Sequence, residues 1–183
     1  GSGKWSQGVL HPDIKGTALG SEFGLKGELP LIATQKNIKA DINWTELDIT
    51  RLPLPKSEGW HPESGNVAGA INLSGPIPET GKALPKNLKG KLNFKFKQLV
   101  LAQPNQSEKI SLPTLEGSGD YKSNQLNYNI LGNIFEGNVK SNGVVKNLKQ
   151  PILDNQIEFT NLDLSKLSML KPGTGIPTQG VAS

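Results

Sequence analysis

The stretch FKFKQLVL at 94–101 alternates apolar and polar for four residues, Phe94 and Phe96 against Lys95 and Lys97. It then slips by one position before Leu99 and Leu101 resume the apolar beat. A period of two is the signature of a strand with one covered face, and a one-residue shift moves the apolar set to the other face. An extra residue in a strand is a β-bulge, which bends the strand and increases its twist. The slip therefore predicts a bend near Gln98, with Phe94 and Phe96 facing inward and Leu99 and Leu101 reaching a neighbouring apolar surface.

The same one-sided alternation runs through most of the chain. Strands are predicted at 14–19, 23–31, 37–49, 65–75, 90–102, 125–132, 135–145 and 154–164. Their second faces carry Lys, Asn, Asp, Glu or Gly, the pattern of an antiparallel sheet with one wet face. Turn chemistry marks 20–21, 64–65, 104–106 and 141–143. The only helical signal is Leu164, Leu167 and Leu170 behind a capping Ser165, over 165–170. The corresponding segment after Ile49 meets Pro53 and Pro55, which block a helix. The chain reads as mainly β.

The slipped pattern recurs as INWTELDI at 42–49 and IEFTNLDL at 157–164. INWTELDITRL and IEFTNLDLSKL match further, at a constant offset of 115 residues from Ile42 to Ile157 and from Asp48 to Asp163. Gly65 follows Asp48 by 17 residues, and Gly180 follows Asp163 by 17. The expected organisation is 1–64 as the C-terminal part of one β repeat unit, 65–179 as a second, and 180–183 as the start of a further one. The chain then reads as a fragment of a longer array, and its opening Gly1-Ser2-Gly3-Lys4 as a cut point or cloning scar.

Composition narrows the chemistry. Hydrophobic residues make up 34% and aromatics 5%, with 21 glycines and 13 prolines, which suits many short strands joined by turns. The net charge of +4 is spread along the chain with no basic block, so no nucleic-acid surface is expected. Without cysteine there is no disulfide scaffold and no thiolate chemistry. No apolar run approaches the roughly 18 residues needed to span a bilayer.

His11 and His61 each precede a proline and read as exposed turn residues; His11-Pro12-Asp13 spells the J-domain tripeptide without its helical hairpin. Two histidines would need carboxylates such as Asp13 and Glu63 to complete a zinc site. Gly1-Ser2-Gly3-Lys4 lacks the strand, the first glycine and the hydroxyl residue of a phosphate-binding loop, Trp5 standing in the last position. No metal, no cofactor and no enzymatic activity is expected.

What remains is the apolar stripe, punctuated by Trp44, Phe94, Phe96, Tyr128, Ile130, Phe135 and Phe159. A one-layer sheet without helices must close on itself, stack on another sheet or host something apolar.

Gly-led strands, LKGKLNFKFKQLVLA, FEGNVKSNG and the closing FTNLDLSKLSML together resemble the AsmA-like family, the AsmA/TamB/YhdP-type proteins of Gram-negative envelopes. The resemblance is best over 65–183 and looser over 14–52. FKFKQLVLAQP departs from the pattern by lacking the Asp and the Leu-containing tail. The resemblance implies an antiparallel, strongly curved sheet forming an open groove or flattened barrel, with at most one or two short helices. It also implies a periplasmic location, with the parent anchored in the inner membrane by a helix outside these residues. The implied role is non-enzymatic, in outer-membrane assembly and phospholipid transport through an apolar trough. The candidate trough residues are Ile42, Trp44, Ile71, Leu73, Leu92, Phe94, Phe96, Leu126, Tyr128, Ile130, Ile157 and Phe159, with phospholipid acyl chains as the partner. Two alternatives are a filled β-sandwich that scaffolds envelope-protein assembly and a secretion-pathway envelope protein of similar architecture, such as the general-secretion N component.

Overall fold

The computed structural model describes residues 1–31, 37–52, 60–77, 85–103, 109–147 and 150–162. They form one ten-stranded antiparallel sheet in which every strand pairs with its sequence neighbours: β1 (Ser2–Ser6), β2 (Val9–Ala18), β3 (Ser21–Pro30), β4 (Asn37–Asp48), β5 (His61–Pro76), β6 (Lys89–Ala102), β7 (Lys109–Lys122), β8 (Gln125–Ile134), β9 (Gly137–Lys146) and β10 (Ile152–Thr160). The first and last strands do not pair, so the sheet is open and not a barrel. At about 4.8 Å per strand the sheet extends about 43 Å across its strands.

Four connections are two-residue turns: Gln7–Gly8, Leu19–Gly20, Ser123–Asn124 and Phe135–Glu136. In each, both residues have positive φ. This is the requirement of the type I′ turn, whose twist matches that of the flanking strands. The turn expected at 20–21 falls one residue earlier, at Leu19–Gly20, and two other expected turns are absent. Ser64-Gly65 lies inside β5 and 141–143 lies inside β9, where cross-strand pairing overrides local turn propensity. Phe135, expected on a strand, is the first residue of a turn. Both histidines sit on strands, His11 in β2 and His61 at the start of β5. The opening tetrapeptide contributes to β1.

Two of the three slips are bulges in the ladder, and all three carry a left-handed residue. Glu46, Gln98 and Asn161 are non-glycine residues with φ of 51°, 53° and 55°. The β4–β5 register shifts between Trp44 and Leu47, and the β5–β6 register shifts around Ser64. On its other side β6 keeps an unshifted register with β7, from Lys97↔Thr114 to Leu99↔Leu112. There Gln98 falls opposite Pro113, which has no N–H to give. The third slip lies just beyond the end of β10.

Each bulge meets a small residue on the preceding strand. Ser21 donates its hydroxyl to the Thr45 carbonyl. Gly65 has φ of +136°, and a Cβ there would stand 2.9 Å from Leu99 Cα; one on Gly137 would stand 2.8 Å from the Asn161 carbonyl oxygen. Directly beyond these contacts, Phe23 faces Trp44, Val67 faces Phe96 and Val139 faces Phe159. The same arrangement, a left-handed residue on one strand beside a small residue on the preceding one, recurs at β3–β4, β5–β6 and the end of β9–β10.

The bulges collect along one margin of the sheet, where β4, β6 and β10 end. By absorbing one residue, the β6 bulge keeps Leu99 on the Phe96 side, and Leu99 is only 5% exposed. It packs with Ile49, Ile110, Leu112 and Phe135 in the principal buried cluster, flanked by Leu52, Trp60, Phe96 and Leu101. Ile49 opens a 3-10 turn, Ile49–Arg51, capped by Asp48. The Asp48 carboxylate accepts from the Thr50 amide at 3.0 Å and the Thr50 hydroxyl at 2.7 Å. Those bonds, aided by Arg51, hold its pKa below the usual value. The helix expected over 165–170 and the repeat start at Gly180 lie outside the described residues, as does the turn expected at 104–106. The 64/65 repeat boundary falls within β5, at the bulge.

Candidate functional site

Cross-strand register decides which side chains share a face. One row runs Phe23, Trp44, Gly69, Phe94, Gly117, Ile130, Ser141, Ile157 across eight strands. The row beside it runs Leu25, Ile42, Ile71, Leu92, Gly119, Tyr128, Gly143. Leu73 and Leu126 lie in the next row on one side, and Phe96 and Phe159 in the next on the other. All twelve trough candidates therefore occupy one face. All twelve are half-buried.

The face is paved by alternation of large and small residues. A Cβ on Gly69 would come within 2.4 Å of the Trp44 ring, and one on Gly117 within 2.6 Å of the Phe94 ring. Each aromatic reaches over the glycine of the next strand, into space that a side chain there would fill. Phe94 and Phe96 also meet edge to face, with centroids 5.5 Å apart. These contacts cover backbone and leave the outer surfaces of the rings without a second layer among the described residues.

Phe23, Leu25, Val67, Leu115 and Val139 belong to the same face but were not singled out from sequence. Phe23 and Leu25 alternate with Gly24 and Lys26, a signal that was present. Leu115 was hidden with the whole of β7, whose Pro113, Gly117 and Gly119 argue against a strand until their neighbours are known.

Two polar atoms on this face are buried without a hydrogen-bond partner, Trp44 Nε1 and Tyr121 Oη. Such groups ordinarily find one, in protein, water or ligand. The opposite face is a charge-complementary ladder. Lys26–Asp13, Lys39–Glu28, Lys95–Glu116 and Lys140–Glu158 pair across strands at 3.1–3.7 Å. Asn72 donates to Asp41 at 2.6 Å, and Asn133 links Thr114 to Asn138. These pairs are exposed and contribute little stability, but they fix which face meets water.

Nothing among the described residues gathers a metal-binding group of His, Asp and Glu. His11 Nε2 has only the Ser6 hydroxyl near it, at 3.3 Å. Among the described residues no helix is long and apolar enough to cross a membrane. No family model, curated protein or solved structure matches the chain.

Proposed function

We propose that this chain is a non-enzymatic, lipid-handling β-groove segment whose apolar face contacts acyl chains. The observation that carries the reading is the face itself: aromatic and aliphatic residues set in rows across the sheet, half-buried, with no second layer of described residues over them. Exposed apolar surface on this scale marks an interaction with something apolar. The buried Trp44 Nε1 and Tyr121 Oη add two polar groups whose hydrogen bonds nothing among the described residues supplies. The resemblance to AsmA-like proteins supplies the setting: a periplasmic groove of curved sheet, its parent anchored in the inner membrane. The task there is moving phospholipid during outer-membrane assembly.

Mass spectrometry of lipid co-purifying with the protein tests this. Phospholipid is expected with the wild type and at least tenfold less with Phe94→Asp, which places a charge in the central row at a desolvation cost of several kcal/mol. Lipid-free wild-type protein, or a Phe94→Asp variant that retains full lipid and cellular function, overturns the reading.

The alternative is a structural module with a filled interior. It draws on the cluster of Ile49, Leu99, Ile110, Leu112 and Phe135, which shows that one margin of the face is packed. A packed interior continuing into the Trp44–Phe94–Ile130 row would favour it.

A further inference from the structure

The two margins of the sheet differ in chemistry. Opposite the bulged margin lies a plain one, where the turns Gln7–Gly8 and Ser123–Asn124 and the ends of β3, β5 and β9 fall. Among the described residues, five of the eight large apolar residues that are exposed sit there: Trp5, Leu31, Ile77, Ile152 and Leu153, the last two 63% and 55% exposed. At the bulged margin Ile49, Leu99, Ile110, Leu112 and Phe135 are buried instead, although Leu19 in the β2–β3 turn is 47% exposed.

On and beside β6 and β7 the lysines divide the same way. Lys95, Lys97 and Lys109, toward the bulged margin, each have a carboxylate partner. Lys86, Lys89, Lys91 and Lys122, toward the plain margin, have no ion-pair partner among the described residues. Lys89 and Lys122 are direct cross-strand partners, with Cα atoms about 5 Å apart. Like charges placed opposite each other oppose folding, and the rest of this face avoids such a pairing. In the same row Gln125 follows Lys122 and Lys146 follows Gln125. The carboxylates facing the group are Asp120, across from Lys91, Asp154, 4.0 Å from Lys146, and Glu28, already engaged by Lys39 at 3.1 Å. Beside the lysines is a shallow hollow of about 320 Å³ whose lining includes Lys91, Asp120, Asn127, Tyr128 and Asn129.

We infer that the plain margin docks on an anionic membrane surface. The lysine corner meets lipid phosphates, and Trp5, Leu31, Ile77, Ile152 and Leu153 enter the interface between headgroups and acyl chains. Charge complementarity alone would suit any polyanion. The exposed aliphatic residues and the tryptophan on the same margin select a membrane, because an interfacial protein presents cations beside apolar side chains. This margin is distinct from the central rows, so the docking and the acyl-chain readings fail independently.

Flotation of the purified protein with phosphatidylcholine vesicles, with and without phosphatidylglycerol, tests it. Binding is expected only with phosphatidylglycerol and is expected to fall as salt rises. Lys89→Gln with Lys122→Gln weakens it roughly tenfold or more, Ile152→Ser with Leu153→Ser weakens it as well, and Lys95→Gln with Lys97→Gln leaves it unchanged. A folding control is built into the geometry. Lys122→Glu places a carboxylate opposite Lys89, so its thermal unfolding midpoint should match or exceed the wild type while its vesicle binding drops. Three results overturn the inference: wild-type protein that ignores phosphatidylglycerol vesicles, lysine-pair variants that lose binding equally at both margins, or a Lys122→Glu variant that folds and binds as the wild type does.

Discussion

The bulged margin and the central rows of the same face carry similar side chains and bury them differently. Leu99, Ile110 and Phe135 are 5%, 3% and 8% exposed, whereas Trp44, Phe94 and Ile130 remain half-exposed. Hydrophobicity does not separate the two regions; a second contacting element does. At the margin the bulges turn Ile49 and Leu99 toward one another, and the β8–β9 turn adds Phe135. In the central rows, among the described residues, only neighbouring strands and their glycines supply contact. One region holds the fold together, and the other is available to a partner.

The largest expected effect that sharpens this contrast is on stability. Leu99→Ala should cost about 2–5 kcal/mol, the range for deleting a buried leucine side chain. Ile71→Ala in the open rows should cost about 1–2 kcal/mol, since less of its area is removed from water. Equal shifts in urea midpoints for the two variants would erase the distinction.

Gly65→Val comes next. It meets both the positive φ and the close approach of Leu99, and should destabilise by about 2 kcal/mol or more, while neighbouring Ser64→Ala is nearly silent. A smaller change of opposite sign is expected at Gln98, whose left-handed conformation strains any residue with a Cβ. Gln98→Gly should raise stability by about 0.5–1 kcal/mol, as read from the same denaturation curves. Loss of stability there would mean the Gln98 side chain contributes a contact that matters more than backbone strain.

The smallest effect concerns Asp48. Its pKa is depressed in the folded state by the Thr50 hydrogen bonds. It therefore adds stability above its unfolded value near 3.9, and this is lost as pH falls through the folded value. Asp48→Asn should flatten the acid limb of the stability profile and leave the neutral-to-basic limb parallel to the wild type.

Much of this was legible because the period-two pattern is a direct readout of the pleat. Eight of the ten strands and all twelve candidates on the apolar face followed from alternation, and the three slips from its interruption. β7 was not legible because Pro113, Gly117 and Gly119 look like strand breakers in isolation. In the sheet Gly117 gives room to the Phe94 ring, and Pro113 stands opposite the one β6 residue that bulges. Ser64-Gly65 looked like a turn for the same reason, since the residue that demands glycine there is Leu99, distant in sequence. The lysine corner was invisible to a search for basic runs, because register alone brings Lys89 and Lys122 together.

The central claim is that the apolar rows face lipid while the ladder of lysines and carboxylates does not. Its most direct test is a photo-crosslinking amino acid placed at Phe94 and, separately, at its immediate neighbour Lys95, with lipid adducts identified by mass spectrometry in cells. Adducts at position 94 and none at position 95 are expected. Equal labelling at both positions, or none at 94, would contradict the account.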